Sequence, residues 1–284
     1  MTIWVTHVLN GLSFGALLFL LSSGFTLAFG LMKIVNIAHG SFYMLGAYVS
    51  VSVMLATGSF AVAIGAGALT VLIFATLLEE VLLRRYHLRD LPQILLTMGV
   101  AFIVSRVCLI IWGGDPLVMR TPSWLSGPLI FGDFAFPKYR IFLIVAAVFV
   151  GLLLWLVLER SRIGAYVRAC VDDEEMAAAM KINTRALFTG MFGFSGLLAG
   201  LGGAIGAPYI GAYPGLDFNI LPLALVVVIV GGLGSLAGAA VGSVFVGVID
   251  SLGKVLFPEL SYFTIFVPMI VILAIRPTGL LGRE

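Results

Sequence analysis

Residues 159–185 read ERSRIGAYVRACVDDEEMAAAMKINTR, and the reading of these 27 positions decides the fold. They hold ten charged side chains (Glu159, Arg160, Arg162, Arg168, Asp172, Asp173, Glu174, Glu175, Lys181 and Arg185) in a chain that is 61% hydrophobic and only 11% charged. Apolar runs from Ile141 to Leu158 and from Leu187 to Ile205 flank the stretch, each long enough to cross a bilayer. The stretch is therefore an aqueous island held against one membrane face. Its middle, Glu174 to Met180, is rich in the strong helix formers Ala, Met and Glu, and its acidic start suits the positive end of a helix dipole. A short amphipathic helix at the membrane surface is expected there, presented to a soluble partner.

Outward from the island, the 284-residue chain has a mean hydropathy of +1.15, and its apolar residues come in blocks of about 18 to 25. A soluble helical bundle would need a polar stripe on each helix, and Ile64 to Leu78 or Leu221 to Val230 offers almost none. The fold class expected is all-α: one polytopic transmembrane domain over residues 1–284, with about nine spans (eight to ten) and broken or re-entrant helices. The spans read Leu9–Phe29, Phe42–Ala56, Ala61–Leu78, Ile94–Trp112, Ile141–Leu158, Leu187–Ala207, Ile220–Val230, Ala237–Leu256 and Phe263–Ile275. No basic region followed by a small-residue cleavage site precedes Asn10 to Gly30, so that segment reads as a retained span. With the island cytoplasmic, eleven of the sixteen basic residues fall on the cytoplasmic side, including Lys33, Arg84, Arg85, Arg89, Arg276 and Arg283. This charge distribution sets the N-terminus outside and the C-terminus inside.

Within the first span, Gly11, Ser13, Gly15, Ser22, Ser23, Gly24 and Thr26 allow close helix approach or line a path. The polar break that follows contains Asn36, His39, Gly40 and Ser41. Asn36 is placed to cap the next helix, and free amides at a helix start attract anions such as a carboxylate, with His39 able to gate or titrate. Equally, both side chains could merely satisfy a tight turn. A second break, Gly231, Gly232, Gly234 and Ser235, followed by a helix with Gly238, Ala239, Gly242 and Gly247, echoes the first and suggests a parallel internal duplication. Between the fourth and fifth spans, Pro116, Pro122, Pro128 and Pro137 forbid a long helix, while Trp124, Phe131, Phe134 and Phe136 suit the lipid interface.

Two ionisable groups, Arg106 and Asp250, lie inside spans at comparable depth. They could pair and staple two helices, or one could line the route. Lys254, four residues after Asp250, is the competing partner. Cys108 and Cys170 are expected to stay unpaired. No phosphate loop, HExxH, paired cysteine cluster or GxSxG elbow is present, and His7, His39 and His87 are far apart in the chain. The chain thus reads as neither an ATPase nor a metal or nucleophile enzyme. Without a relay of carboxylates, energy would enter through the island.

Four ordered motifs together resemble a known family. NIAHG (Asn36 to Gly40) before YMLGAY, the island RIGAYVRACVDDEEMAAAMKIN, GGLGSLAGAAVG (Gly231 to Gly242) and the terminal RPTGLLGR are similar to the permease subunits of bacterial branched-chain amino acid ABC importers of LivH type. The resemblance implies a complex of two related permeases, two ATPase subunits that carry ATP and Mg, and a periplasmic substrate-binding protein, all at the inner membrane. It also implies that Asp172, Asp173, Glu174, Glu175, Met176, Ala177, Ala178, Lys181, Ile182 and Asn183 form the segment that fits the ATPase. Asn36, His39, Gly40, Ser41, Gly231, Gly232, Gly234 and Ser235 are the expected path or gate. Lys181 departs from the pattern, since the family has glycine before the Ile-Asn pair, and the turn there is expected to differ. Related permeases share these motifs, so urea, short amides and aromatic carboxylates stand beside branched-chain amino acids as substrates. A stand-alone channel or secondary carrier is the rival reading.

Overall fold

The structure is a computed structural model and describes residues 2–86, 89–131, 134–260 and 263–282; the readings of His87 and Arg283, and of the Phe131 and Phe134 side chains, lie outside what it describes. Eleven α-helices and one short hairpin make up the described chain. Helix α1 (Thr2–Phe25) runs on as a π-helical turn over Thr26–Leu31. It is followed by α2 (His39–Thr57), α3 (Phe60–Val81), α4 (Asp90–Trp112) and α5 (Lys138–Trp155). The island forms α6 (Arg162–Asp172) and α7 (Glu174–Ala179). The chain closes with α8 (Thr184–Ile210), α9 (Leu216–Gly231), α10 (Leu236–Leu256) and α11 (Phe263–Ile275).

Seven of these elements are long and apolar enough to cross a membrane; α9 and α11 are apolar but shorter, at 16 and 13 residues. The nine apolar segments expected from the sequence are thus all helical. Helices α1 and α8 form the centre, with Leu17, Leu18, Leu20 and Leu21 of α1 and Phe192, Ala199 and Ala204 of α8 buried. Helices α4 and α5 lie at the periphery and present Leu95, Ile103, Ile110, Val148, Phe149 and Leu152 outward.

Lipid tails give apolar helices little reason to associate, so close backbone approach must hold the centre together. Helix α8 supplies it with glycines: a Cβ on Gly200 would lie 2.7 Å from Cβ of Val71 in α3, and one on Gly203 would collide with the Tyr43 carbonyl of α2. Gly11 and Gly15 of α1 pack in the same way on Gly247 and Ser243 of α10. The small residues of the first span therefore serve packing, apart from the hydroxyls of Ser13, Ser22 and Ser23, which bond backbone carbonyls.

The break after α1 turns back into the bundle. The backbone amides of Val35 and Ile37 donate to Gln93 Oε1 and Thr97 Oγ1 of α4, both at 3.1 Å. Helix α9 likewise begins deep: Phe218 stacks on Phe102 with ring centroids 5.6 Å apart. Phe102 lies twelve residues into the 23-residue α4, roughly 18 Å along it. The first turns of α2 and α9 thus meet near the mid-depth of the bundle.

At the end away from the island, strands β1 (Pro128–Phe131) and β2 (Phe134–Pro137) pair antiparallel with Pro128 opposite Pro137, and Leu117 bridges Ala212 in both directions at 2.8 Å. Trp124 is exposed, as an interfacial aromatic should be, but Phe136 is buried rather than facing lipid, because the hairpin folds it inward.

Candidate functional site

The island is built as two capped helices. Ser161 Oγ accepts from the amides of Ile163 (3.1 Å) and Gly164 (3.4 Å) to start α6, and Asp173 Oδ1 accepts from Met176 N at 2.9 Å to start α7. Helix α6 buries Gly164, Val167 and Cys170 at helical spacing and turns Arg162 outward, while Arg168 folds back to donate to the Leu158 carbonyl. Gly164 is required, because a Cβ there would run into the carbonyl of Leu158 in the π-helical turn Leu156–Arg160 that follows α5. Burial, with the Glu174 carboxylate adding to it, pushes the Cys170 thiol above its ordinary pKa.

Helix α7 buries Ala177 alone and presents Met176 and Met180, 60% and 72% exposed, beside the acidic Glu174 and Glu175 of its first turn. Its end is a Schellman turn: Ile182 N bonds Ala177 O (3.1 Å), Lys181 N bonds Ala178 O (3.0 Å), and Lys181 sits at φ +63°. Against the expectation, the turn at Lys181 keeps the left-handed geometry that favours glycine. Asn183 Oδ1 then accepts from Ala186 N at 3.0 Å and caps α8. Asp172, Ala178 and the rest of the segment therefore form one rigid knob between two long spans.

The polar break holds a different constellation. Asn36, His39 and Ser41 are buried with Asp217. Ser41 Oγ donates to Asp217 Oδ2 at 2.9 Å, and a Cβ on Gly40 would strike the Asp217 carbonyl. His39 Nε2 lies 3.0 Å from the Leu21 carbonyl. Asn36 does not cap α2: the helix starts at His39, its N-cap is Ala38, and no side chain bonds the free amides. Both amide atoms of Asn36, Nδ1 of His39 and Oδ1 of Asp217 are buried without a partner. Buried polar groups are ordinarily bonded, so these set the break apart from the apolar bundle around it. Two helix N-termini aim positive dipole ends at this point, and the Asp217 carboxylate stands between them.

Gly231, Gly232, Gly234 and Ser235 do not join that cluster. They form the hairpin between α9 and α10 at the island end, with Gly232 at φ +105° and Gly234 at φ +77°. The terminal motif closes over them: Leu280 N bonds Val230 O (2.8 Å) and Leu281 N bonds Gly231 O (2.9 Å). Gly234 and Ser235 also line a cavity of about 910 Å³ shared with Glu159, Arg168 and Asp172 of the island. Ser235 Oγ caps α10 through Gly238 N at 3.0 Å.

Arg106 and Asp250 do not pair. Arg106 faces outward from α4, while Asp250 accepts from Lys254 Nζ at 2.6 Å along its own helix. Asp217 escaped sequence reading because hydropathy starts its helix at Ile220, four residues after the helix begins. Its only signal was a carboxylate just ahead of an apolar run. Cys108 and Cys170 are both free thiols.

An all-helical multi-pass bundle with a structured polar knob between two spans and a polar node at mid-depth defines a membrane transport domain. Residues 7–273 match the family model described as branched-chain amino acid transport system / permease component, and the chain belongs to that family. Among curated relatives, it is 27% identical to the high-affinity branched-chain amino acid transport system permease protein BraD of Pseudomonas aeruginosa, covering 99% of this chain and 96% of that one. Identity to the permease protein LivH of Escherichia coli K12 is 26%, with the same coverage. In fold it is similar to a solved ABC transporter of metal-chelate type in an inward-facing conformation, with TM-score 0.53 and 19% identity over 96% of this chain and 85% of that one.

Proposed function

We propose that the protein is the transmembrane subunit of an ATP-driven importer that carries branched-chain amino acids across the bacterial inner membrane. The observation that carries this reading is the α7 knob: a capped, rigid helix with two exposed methionines and an acidic first turn, set between two spans of a family member. Exposed methionines adapt well to a partner's groove. The partner is an ATPase subunit, with ATP and Mg held there and not in this chain. Two such ATPases, a second related permease and a periplasmic substrate-binding protein complete the assembly. The island faces the cytoplasm, the N-terminus the periplasm and the C-terminus the cytoplasm, in keeping with the bias of basic residues to the island side.

In this mechanism closure of the ATPases pushes α7, and the Schellman turn and the Asn183 cap pass the push into α8 as a solid lever. Helix α8 packs on α2 and α3 through its glycines, so its tilt reaches the node of Asn36, His39, Gly40, Ser41 and Asp217. That node gates the path at mid-depth. The Gly231 to Ser235 hairpin adjoins the island and serves as the hinge at the inner end.

The test is uptake in proteoliposomes holding the complete complex and its binding protein. Replacing Glu174 and Glu175 with alanine is expected to leave assembly intact and uncouple ATP hydrolysis from L-leucine uptake. Unchanged uptake removes the knob from the mechanism, and uptake of urea or aromatic acids in place of leucine replaces the substrate.

A further inference from the structure

At the end of the bundle opposite the island lies a cleft of about 790 Å³ between α1, α5, α8, α9 and α10. Ionisable groups enter the apolar bundle here too, and beside one ion pair the cleft holds a further cation. Asp250 is buried and accepts from Lys254 Nζ through Oδ2. Lys254 also stands 5.4 Å from the centre of the Phe14 ring. Across the cleft, Arg140 bonds Asn10 Oδ1 and lies 5.4 Å over the Tyr209 ring. Among the described residues Arg140 has no acidic partner: its neighbours hold the guanidinium in place without neutralising it.

The cleft therefore offers two cations and one buried carboxylate beside the apolar walls of Ile220 and Leu223. An uncompensated arginine in a fixed fork is suited to a carboxylate. A buried carboxylate lining the same cleft is suited to an ammonium. Ionisable groups at such positions ordinarily face a water-filled route and mark what travels along it. The exposed Asn219 also lines the cleft, on the same turn of α9 that gives Asp217 to the mid-depth node.

We propose that this cleft is a binding site for the free zwitterionic amino acid on its way into the bundle. Arg140 takes the α-carboxylate, Asp250 takes the α-ammonium, and Phe14, Ile220 and Leu223 take the aliphatic side chain. The site rests on the importer reading above and adds to it a permease-side check on both charges of the substrate, separate from the choice made by a binding protein. Lys254 holds Asp250 in the empty cleft and releases it to the incoming ammonium.

The experiment uses the assembled complex in vesicles without binding protein. Asn219 is changed to cysteine in an otherwise native chain, whose own two thiols are buried, and its labelling by a membrane-impermeant maleimide is timed. L-Leucine is expected to slow labelling, while 3-methylbutylamine and 4-methylpentanoate, each with one of the two charges, leave it unchanged. Arg140→Gln should raise the half-protecting leucine concentration about tenfold or more, and Arg140→Lys should restore part of it, which separates lost charge from lost folding. Equal protection by the single-charge analogues overturns the proposal. So does absence of protection in vesicles that perform ATP-driven leucine uptake once binding protein is added. Protection without such uptake overturns the importer reading and leaves the site standing.

Discussion

The Ser41 hydroxyl donates to the Asp217 carboxylate at 2.9 Å, and this bond ties the first turn of α2 to the first turn of α9 in the middle of the bundle. Residues 176 positions apart thus fix the meeting point of two helices that both begin below the membrane surface. Ser41→Ala leaves a buried carboxylate with neither oxygen bonded by a side chain. A loss of about 1–3 kcal/mol is expected, read as a lower thermal unfolding midpoint in detergent. L-Leucine uptake should fall with it if the node gates the path as proposed.

Lys181 predicts a gain. It occupies the left-handed position of a Schellman turn at φ +63°, where an L side chain costs about 1–2 kcal/mol. Lys181→Gly should raise the unfolding midpoint while leaving the two backbone bonds of the turn in place. A lower midpoint would show that the lysine side chain holds the turn through a contact of its own.

Gly203→Ala should be among the most damaging single-carbon additions, since the new methyl meets the Tyr43 carbonyl, which belongs to a helix backbone and cannot swing away. A cost of about 1–3 kcal/mol or more is expected. Fluorescence-detected gel filtration should show less monodisperse protein than for Gly190→Ala, where nothing lies near the added atom.

Cys170 predicts a pH profile. Burial and the Glu174 carboxylate both disfavour its thiolate, so alkylation by a small maleimide should set in at higher pH than for an ordinary exposed thiol. Glu174→Gln removes the second cause and should move the onset to lower pH. An onset at the ordinary thiol value in the unmodified chain would mean that α6 lifts off its bed readily.

What could be read from the sequence follows from periodicity and length. Apart from α1, which starts seven residues before the expected Leu9, the apolar blocks became helices within a few residues of their expected ends, and the charge density of 159–185 marked the island before any coordinates. Depth was not legible. Hydropathy averages over a window, so it placed the start of α9 at Ile220 and left Asp217 in a loop, when the helix had already begun at Leu216. Asn36 misled for a related reason. It has the right chemistry for a cap, but the tertiary bonds of Val35 and Ile37 to α4 keep the break out of the helix until His39, so the cap position falls at Ala38, two residues past Asn36. The glycine break and the path residues were expected together and lie apart, because the first break climbs back into the bundle and the second stays at the surface. The cleft near Arg140 gathers residues from five helices, and no spacing rule joins those.

The bonds from Leu280 and Leu281 to the last carbonyls of α9 have a consequence for biosynthesis. Those carbonyls wait for donors about fifty residues downstream, so a nascent chain that has inserted its ninth helix still carries open acceptors at its inner end. Maturation at that corner is a late step: a chain clipped ahead of Gly279 would insert normally, yet leave a frayed edge for quality-control proteases to find.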